Sequence, residues 1–368
     1  MTKNNPNKEQ KLFQTLKDDI RKGGFTSSLS SEFSDVKDFF ITEERKKQLA
    51  GMGSIKSFFY TSWWGLKELL FKLTPIRRML LVIGILLMLS TGTIGFNDGD
   101  SLIISRDTSI FGGIIILFIL MLELRDKLLA KDELTAGRSV QSALTPEQTH
   151  SIPGWDIWLY TNSANDVGGD LVDIIQLNDN KHGITIADVS GKGLGAALLM
   201  AKLQTIIRAF APDYFSISKL GEKINNSFFK DILPNSFASM VYFLISEESN
   251  SIEILNAGHL PPLLYQNDEV AELSKGNVAL GLANNSKYKT EKLKLKKNDI
   301  LMAFSDGLTE ARNLEGKFYG TEVVKNLLKY HHKLSTEEIG NKIVAHVNMF
   351  IGEAKVHDDL SVVIMQKK

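Results

Sequence analysis

The sequence predicts an α+β domain, two packed antiparallel sheets flanked by helices, preceded by a transmembrane helical hairpin. From Trp155 onward, short apolar runs recur at hairpin spacing (WDIWLY, LVDIIQL, HGITIADV, FASMVYFLIS, SIEILNA, LSVVIMQ), separated by turn signals such as Asn178 to Gly183. That is the pattern of a sandwich of short strands. Helical patterns over Leu194 to Phe210, Ser218 to Asp231, Thr321 to His331 and Thr336 to Phe350 are inserted in pairs, not one after every strand, so the order is α+β. Upstream, Met79 to Phe96 carries no charge, and its length approaches the roughly 30 Å of a bilayer core.

A second apolar stretch, Ser109 to Leu122, is short for a span. By length alone it reads equally as a core helix or a re-entrant segment. Charge decides for a hairpin. Arg77 and Arg78 precede the first stretch, and Arg125, Lys127 and Lys131 follow the second. The loop between them carries Asp98, Asp100 and Asp107 against Arg106. The positive-inside bias places both basic flanks in the cytoplasm. Trp63, Trp64, Leu66, Leu69, Leu70 and Leu73, interleaved with Lys67, Glu68 and Lys72, suit a helix in contact with membrane lipid. The expected divisions are residues 1–75, a cytoplasmic N-terminal region with this juxtamembrane amphipathic helix; 76–124, the hairpin; 125–148, a helical linker; and 149–368, the catalytic domain. In the linker, Leu129, Ala136, Val140 and Ala143 fall near heptad spacing, although Asp126 and Glu133 lie on the same stripe. A spacer helix and a homodimeric coiled coil both fit. The localisation implied is the cytoplasmic membrane, with the catalytic domain in the cytoplasm.

Composition excludes several function classes. Lys plus Arg and Asp plus Glu each total 43, so no basic field favours nucleic acid. The chain has no cysteine, which removes disulfides, thiolate zinc sites and thiolate nucleophiles. Any phosphate chemistry here uses oxygen ligands.

Candidate chemistry lies in aspartates at strand ends beside glycines: Asp170 and Asp173 in VGGDLVD, Asp188 in IADVSGKG, Asp306 in FSDGLTE, and Asp358 and Asp359 in HDDLS. One Asp-Gly after a strand is ordinarily a turn. Their recurrence is different, because a packed sandwich would gather them at one edge. Such carboxylates raise one another's pKa unless divalent cations neutralise them. An all-oxygen set points to Mg2+ or Mn2+ and away from Zn2+. GKGLG at Gly191 to Gly195 has neither nucleotide-loop spacing. Its glycines instead allow a carbonyl beside Asp188, that of Val189, a close approach to a metal. His259 in NAGHLPP is a tempting acid, but at a strand turn it reads first as structural.

In family order, AGRSVQSALTP, SANDVGGDLVD, ADVSGKGLGAALLM, NAGHLPPLL, VALGL, FSDGLTEARN and DDLSVVI resemble the motifs of the bacterial branch of the metal-dependent PP2C or PPM protein serine/threonine phosphatases, the RsbU and SpoIIE type. The resemblance covers about Asp132 to Met365. It implies a PP2C-like αββα sandwich and two divalent cations, Mn2+ or Mg2+, held by Asp170, Asp188, Asp306 and Asp358, with Asp188 bridging and Val189 lending its carbonyl. Asp173 and Asp359 are second-tier candidates. It also implies hydrolysis of a phosphorylated protein by activated water, with a STAS-type anti-anti-sigma factor in a partner-switching pathway as the typical substrate. The alternatives are a catalytically silent phosphoprotein-binding scaffold, or a membrane receptor that uses the domain as a dimerising output. The eukaryotic branch has a His after the bridging Asp; here Val189-Ser190 stands instead, so the resemblance assigns no proton donor, and no phosphate-gripping Lys or Arg is assigned either.

Overall fold

The computed structural model describes residue 45 and residues 52–94, 104–178, 180–214, 216–230, 232–247 and 249–368. Most of the N-terminal region expected at 1–75, and Asp98 and Asp100 of the loop, lie outside the described residues. The chain divides into two units, Met1–Lys127 and Leu128–Lys368.

The first unit contains α1 (Ser54–Lys72), α2 (Pro75–Leu89), an antiparallel ribbon of β1 (Thr91–Ile94) and β2 (Ile104–Asp107), and the first half of α3 (Ser109–Leu144). Pro75 opens α2, where a missing N–H costs nothing. The two apolar helices touch where each has a glycine: a Cβ on Gly112 would lie 2.7 Å from Met88 Cγ, and one on Gly84 3.3 Å from the Gly112 carbonyl oxygen. This is the small-residue contact that lets helix backbones approach closely. At the hairpin base the Arg77 guanidinium bridges Glu123 at 2.6 Å and Asp126 at 2.7 Å. The outward apolar faces are bare, with Leu86 61% and Leu89 74% exposed.

Two expectations change here. The first stretch is not helical to Phe96: α2 ends at Leu89 and Thr91–Ile94 pairs as a strand, because β-branched Thr91, Thr93 and Ile94 around Gly92 favour extended backbone. Phe96 itself is outside the described residues. The second stretch and the linker form one continuous helix of 36 residues, about 54 Å long at 1.5 Å per residue, since no proline interrupts it before Pro146. The expected boundary at 124/125 therefore corresponds to no break in the backbone. Among the described residues one helical stretch, Gly193–Asp213, is long and apolar enough to cross a membrane by length and composition.

The second unit is the expected sandwich. It comprises the end of α3, then β3 (Thr149–Ile152), β4 (Trp155–Asn162), β5 (Asp170–Asn178), β6 (Lys181–Val189), α4 (Gly193–Phe210), α5 (Ile217–Phe229), β7 (Ala238–Ser246), β8 (Ser251–Ala257), β9 (Leu263–Gln266), β10 (Glu269–Glu272), β11 (Glu291–Lys294), β12 (Ile300–Phe304), the single turn α6 (Asp306–Thr309), α7 (Thr321–His331), α8 (Thr336–Ile351) and β13 (Leu360–Lys367). One sheet runs β10-β9-β12-β13-β4-β3 and the other β11-β8-β7-β6-β5, every pair antiparallel.

Strand alternation divides the core into layers. Val172, Ile184, Ile186, Val241 and Phe243 of one sheet meet Ile157, Leu159, Leu301, Ala303 and Val363 of the other. The alternate residues face outward. Leu171, Ala187 and Val189 pack with Met200, Leu203 and Ile207 of α4. Val362 and Ile364 pack with Val324, Ile339 and Ile343 of α7 and α8. Helix α4 is thus a core helix of this unit, which explains its apolarity without a bilayer. Ser335 caps α8 in a reciprocal box with Glu338.

Candidate active site

The antiparallel register of β5 and β6 sets Asp170 directly opposite Asp188. Both lie on the strand face that carries Val172, Ile174, Ile184 and Ile186 into the layer between the sheets, so their carboxylates end that layer at one edge. The other sheet supplies Ser305 after β12 and Ser361 on β13. Their backbones are locked together, Ser305 N donating to Ser361 O at 3.0 Å and Ser361 N to Ser305 Oγ at 2.9 Å. Asp306 begins α6 immediately after Ser305, and Asp358 precedes β13.

The electrostatics are those of crowded anions. Burial, then the charge of Asp188, holds the Asp170 carboxyl well above the usual carboxylate range, although the Ser361 and Ser305 hydroxyls beside it favour the ionised form. Asp188 is pushed up to about 6, first by burial and then by Asp306, Asp358 and Asp359. Asp306 is raised by burial, Asp358 and Glu310. The buried Asp170 Oδ2 has no hydrogen-bond partner. An orphaned buried oxygen among anions is what a divalent cation would satisfy, and an oxygen-only donor set suits Mg2+ or Mn2+. Asp170, Asp188, Asp306 and Asp358 therefore fit the expected group as a charge cluster. Among the described residues no three Asp, Glu or His side chains already converge as a coordination sphere. One reason is visible: Lys192 Nζ holds Asp358 Oδ2 at 3.0 Å and also bonds the His357 carbonyl.

The Val189 carbonyl is given room by a glycine. A Cβ on Gly169 would sit 2.8 Å from Val189 O, closer than such contacts allow. Gly191 and Gly193 take φ of 106° and 69°, left-handed values that glycine reaches without strain, and they turn the chain from β6 into α4.

The second-tier aspartates have other partners. Asp173, three residues beyond Asp170, falls on the opposite strand face, where Arg208 of α4 grips it with Nε at 2.8 Å and an Nη at 2.7 Å. It fastens helix to sheet and does not join the cluster. Asp359 accepts from Ala164 N at 2.8 Å through Oδ1, and from Gly169 N at 2.7 Å and Asp170 N at 3.4 Å through Oδ2. Its carboxylate shapes the loop that leads into Asp170. His259 is buried, bonds Ser239 Oγ through Nδ1 at 2.7 Å, and is lowered to about 4 by burial. It lies just after β8 with its Nε2 buried and without a hydrogen-bond partner.

Other residues that shape the site are less legible in the sequence. Gln141 of α3 clamps Gly168, its amide nitrogen donating to Gly168 O at 2.8 Å and its amide oxygen accepting from Gly168 N at 3.1 Å. The linker helix thus holds the backbone two residues from Asp170. Nothing in an AGRSVQSAL helix marks that glutamine. For Ser305 and Ser361 a signal exists, since each sits within three residues of a cluster aspartate.

The sandwich and its acidic edge define the PP2C fold. The SiaA PP2C domain of Pseudomonas aeruginosa matches it with a TM-score of 0.58 at 17% identity, over 66% of this chain and 99% of that domain. The RsbU and RsbW domains of Rv1364c from Mycobacterium tuberculosis match with a TM-score of 0.50 at 21% identity, over 59% of this chain and 61% of that one. The family model for Stage II sporulation protein E (SpoIIE) matches residues 178–368, more than half of the chain, and the chain belongs to that family. Asp170 lies just upstream of the matched segment. Among curated relatives, Protein IcfG of a Synechocystis species is 25% identical over 247 residues, 59% of this chain and 39% of its own length. Phosphoserine phosphatase RsbU of Bacillus subtilis is 24% identical over 240 residues, 65% of this chain and 71% of its own.

Arg208→Ala leaves the buried Asp173 carboxylate unpaired and is expected to cost about 3 kcal/mol, read by urea unfolding. Adding Asp173→Asn should recover more than half of that; no recovery would mean that the pair is not the source of the loss. Asp188→Asn should act in the opposite direction. The folded protein keeps the Asp188 proton to about pH 6 while the unfolded chain releases it near 4, so the carboxylate costs stability above pH 6. In chelator at pH 8 the variant should melt at a higher temperature than the parent, with the gap narrowing at pH 5.

Proposed function

We propose that this chain is a membrane-anchored protein serine/threonine phosphatase that hydrolyses phosphoserine or phosphothreonine on a regulatory protein and depends on Mn2+ or Mg2+. The observation that carries the reading is the Asp170–Asp188 pair at the sandwich edge, with its orphaned oxygen and with Asp306 and Asp358 adding to the same field. Asp170, Asp188, Asp306, Asp358 and the Val189 carbonyl would hold the cations. When bound, these would lower the pKa of a water and neutralise charge on the phosphoryl oxygens. The chain's own part is positional. Ser305, Ser361 and Asp359 fix the carboxylates, Gly169 keeps the Val189 carbonyl clear, and Lys192 adds a positive charge beside Asp358.

Membership of the SpoIIE family and the name of the relative RsbU, a phosphoserine phosphatase, support a phosphoprotein substrate in partner switching, a STAS-type anti-anti-sigma factor being the candidate. The bare apolar faces of α2 and α3, with basic residues at their ends, support insertion into the cytoplasmic membrane with the catalytic domain inside. A homodimer through the linker is supported by exposed Leu129 and Val140, the latter 63% exposed, on the stripe that also holds Ala136 and Ala143. The Gln141 clamp on Gly168 gives such a helix a direct grip on the site.

The full chain in detergent should release phosphate from a phosphoserine peptide with Mn2+, stop in chelator, and lose at least about a hundredfold in Asp306→Asn. A parent protein that binds the peptide but never turns it over would instead be a scaffold. Inserting one, two or three residues near Thr135 rotates the linker by about 100° per residue. Activity should vary with that phase; equal activity in all three would sink the coupling.

A further inference from the structure

A cavity of about 300 Å3 opens beside the carboxylate edge, between the end of α8 with the loop that returns to β13 on one side and the segment following α6 on the other. Its lining includes the apolar Ala311, Ile351 and Leu360 and charges of both signs. Glu310 and Asp358 belong to the acidic cluster, since both raise Asp306, and Lys192 is committed to Asp358. The remaining cations are Arg312 and Lys355. Among the described residues neither is in an ion pair. The Arg312 guanidinium carbon sits 4.4 Å from the Phe318 ring centroid, and the two residues also form an antiparallel backbone bridge, a cation–π contact that holds the side chain beside the ring and engages none of its N–H donors in an ion pair.

We propose that this groove is a substrate subsite in which Arg312 and Lys355 read an acidic side chain one or two residues from the phosphorylated one. The proposal rests on the phosphatase reading above and names the class of substrate. Asp358 lines this groove as well as belonging to the acidic edge, and residues of an extended chain follow one another at about 3.5 Å, so the side chains flanking a phosphoryl group at that edge enter a groove that Arg312 and Lys355 also line. The carboxylates of Glu310 and Asp358 oppose an acid placed beside them, so the cations set where an acid is accepted, and Ala311, Ile351 and Leu360 offer contact to the aliphatic part of its side chain.

The test compares two phosphoserine peptides that differ only in Glu or Ala beside the phosphoserine, using the full chain in detergent with Mn2+. The parent should favour the Glu peptide in kcat/KM, mainly through KM, by about fivefold for each charge read, and added salt should erode the preference. Lys355→Glu and Arg312→Glu should each invert or abolish that ratio, and Lys355→Arg should restore it. An equal ratio in parent and variants would overturn the proposal. Fluorescence anisotropy of the same two peptides separates the failures: without turnover, tighter binding of the Glu peptide that Lys355→Glu removes would uphold the subsite and reject the activity, whereas equal binding would reject the subsite.

Discussion

The arrangement depends on one antiparallel register. Pairing β5 with β6 so that Asp170 faces Asp188 puts two carboxylates side by side on a face whose next two pairs, Val172–Ile186 and Ile174–Ile184, are hydrocarbon. Like charges directly opposite in a sheet repel, and burial deepens the cost. A one-residue slip would relieve the repulsion but turn Val172 and Ile186 out of the inter-sheet core. The hydrophobic layer therefore holds the anions together against their own field, and the chemistry of the edge exists because that layer does not yield.

Holding the charges also requires fixed loops, and each is tied by a different kind of bond. Asp359 spends its carboxylate on backbone N–H groups of the strand entry, Arg208 anchors α4 through Asp173, and Gln141 clasps Gly168 from the linker helix. Two of these ties use acids that, from their motifs alone, could pass for metal ligands. The distinction is one of face and partner: Asp173 points to the helix side of β5, where an arginine reaches it, and the oxygens of Asp359 are occupied by amides. Instability at the edge and rigidity around it are two parts of one design, in which the cation would supply the energy that the fold withholds.

The last turns of α3 also belong to the site. Gln141 holds both backbone polar groups of Gly168, next to Gly169, where the Val189 carbonyl has least room.

Much of this was legible in the sequence. Alternation of apolar residues marked the strand faces and hence the two sheets, and paired helical patterns marked the outer layers, because these depend on local period; the acid-glycine strand ends named Asp170, Asp173, Asp188, Asp306, Asp358 and Asp359 together, and only the family resemblance set Asp170, Asp188, Asp306 and Asp358 apart. The division of labour among neighbouring acids was not legible, nor the ends of the apolar stretches, nor the grip of Gln141. Those depend on what arrives from a distant element: Arg208 from 35 positions away decides Asp173, the backbone amides of a loop 190 positions away decide Asp359, and pairing with Ile104–Asp107 adds to the local β-branched run in ending α2 at Leu89. Sequence by itself determined which residues can carry charge to one edge; only the tertiary structure decided which of those charges are already neutralised, because pairing across the fold is set by packing and leaves no local period to read.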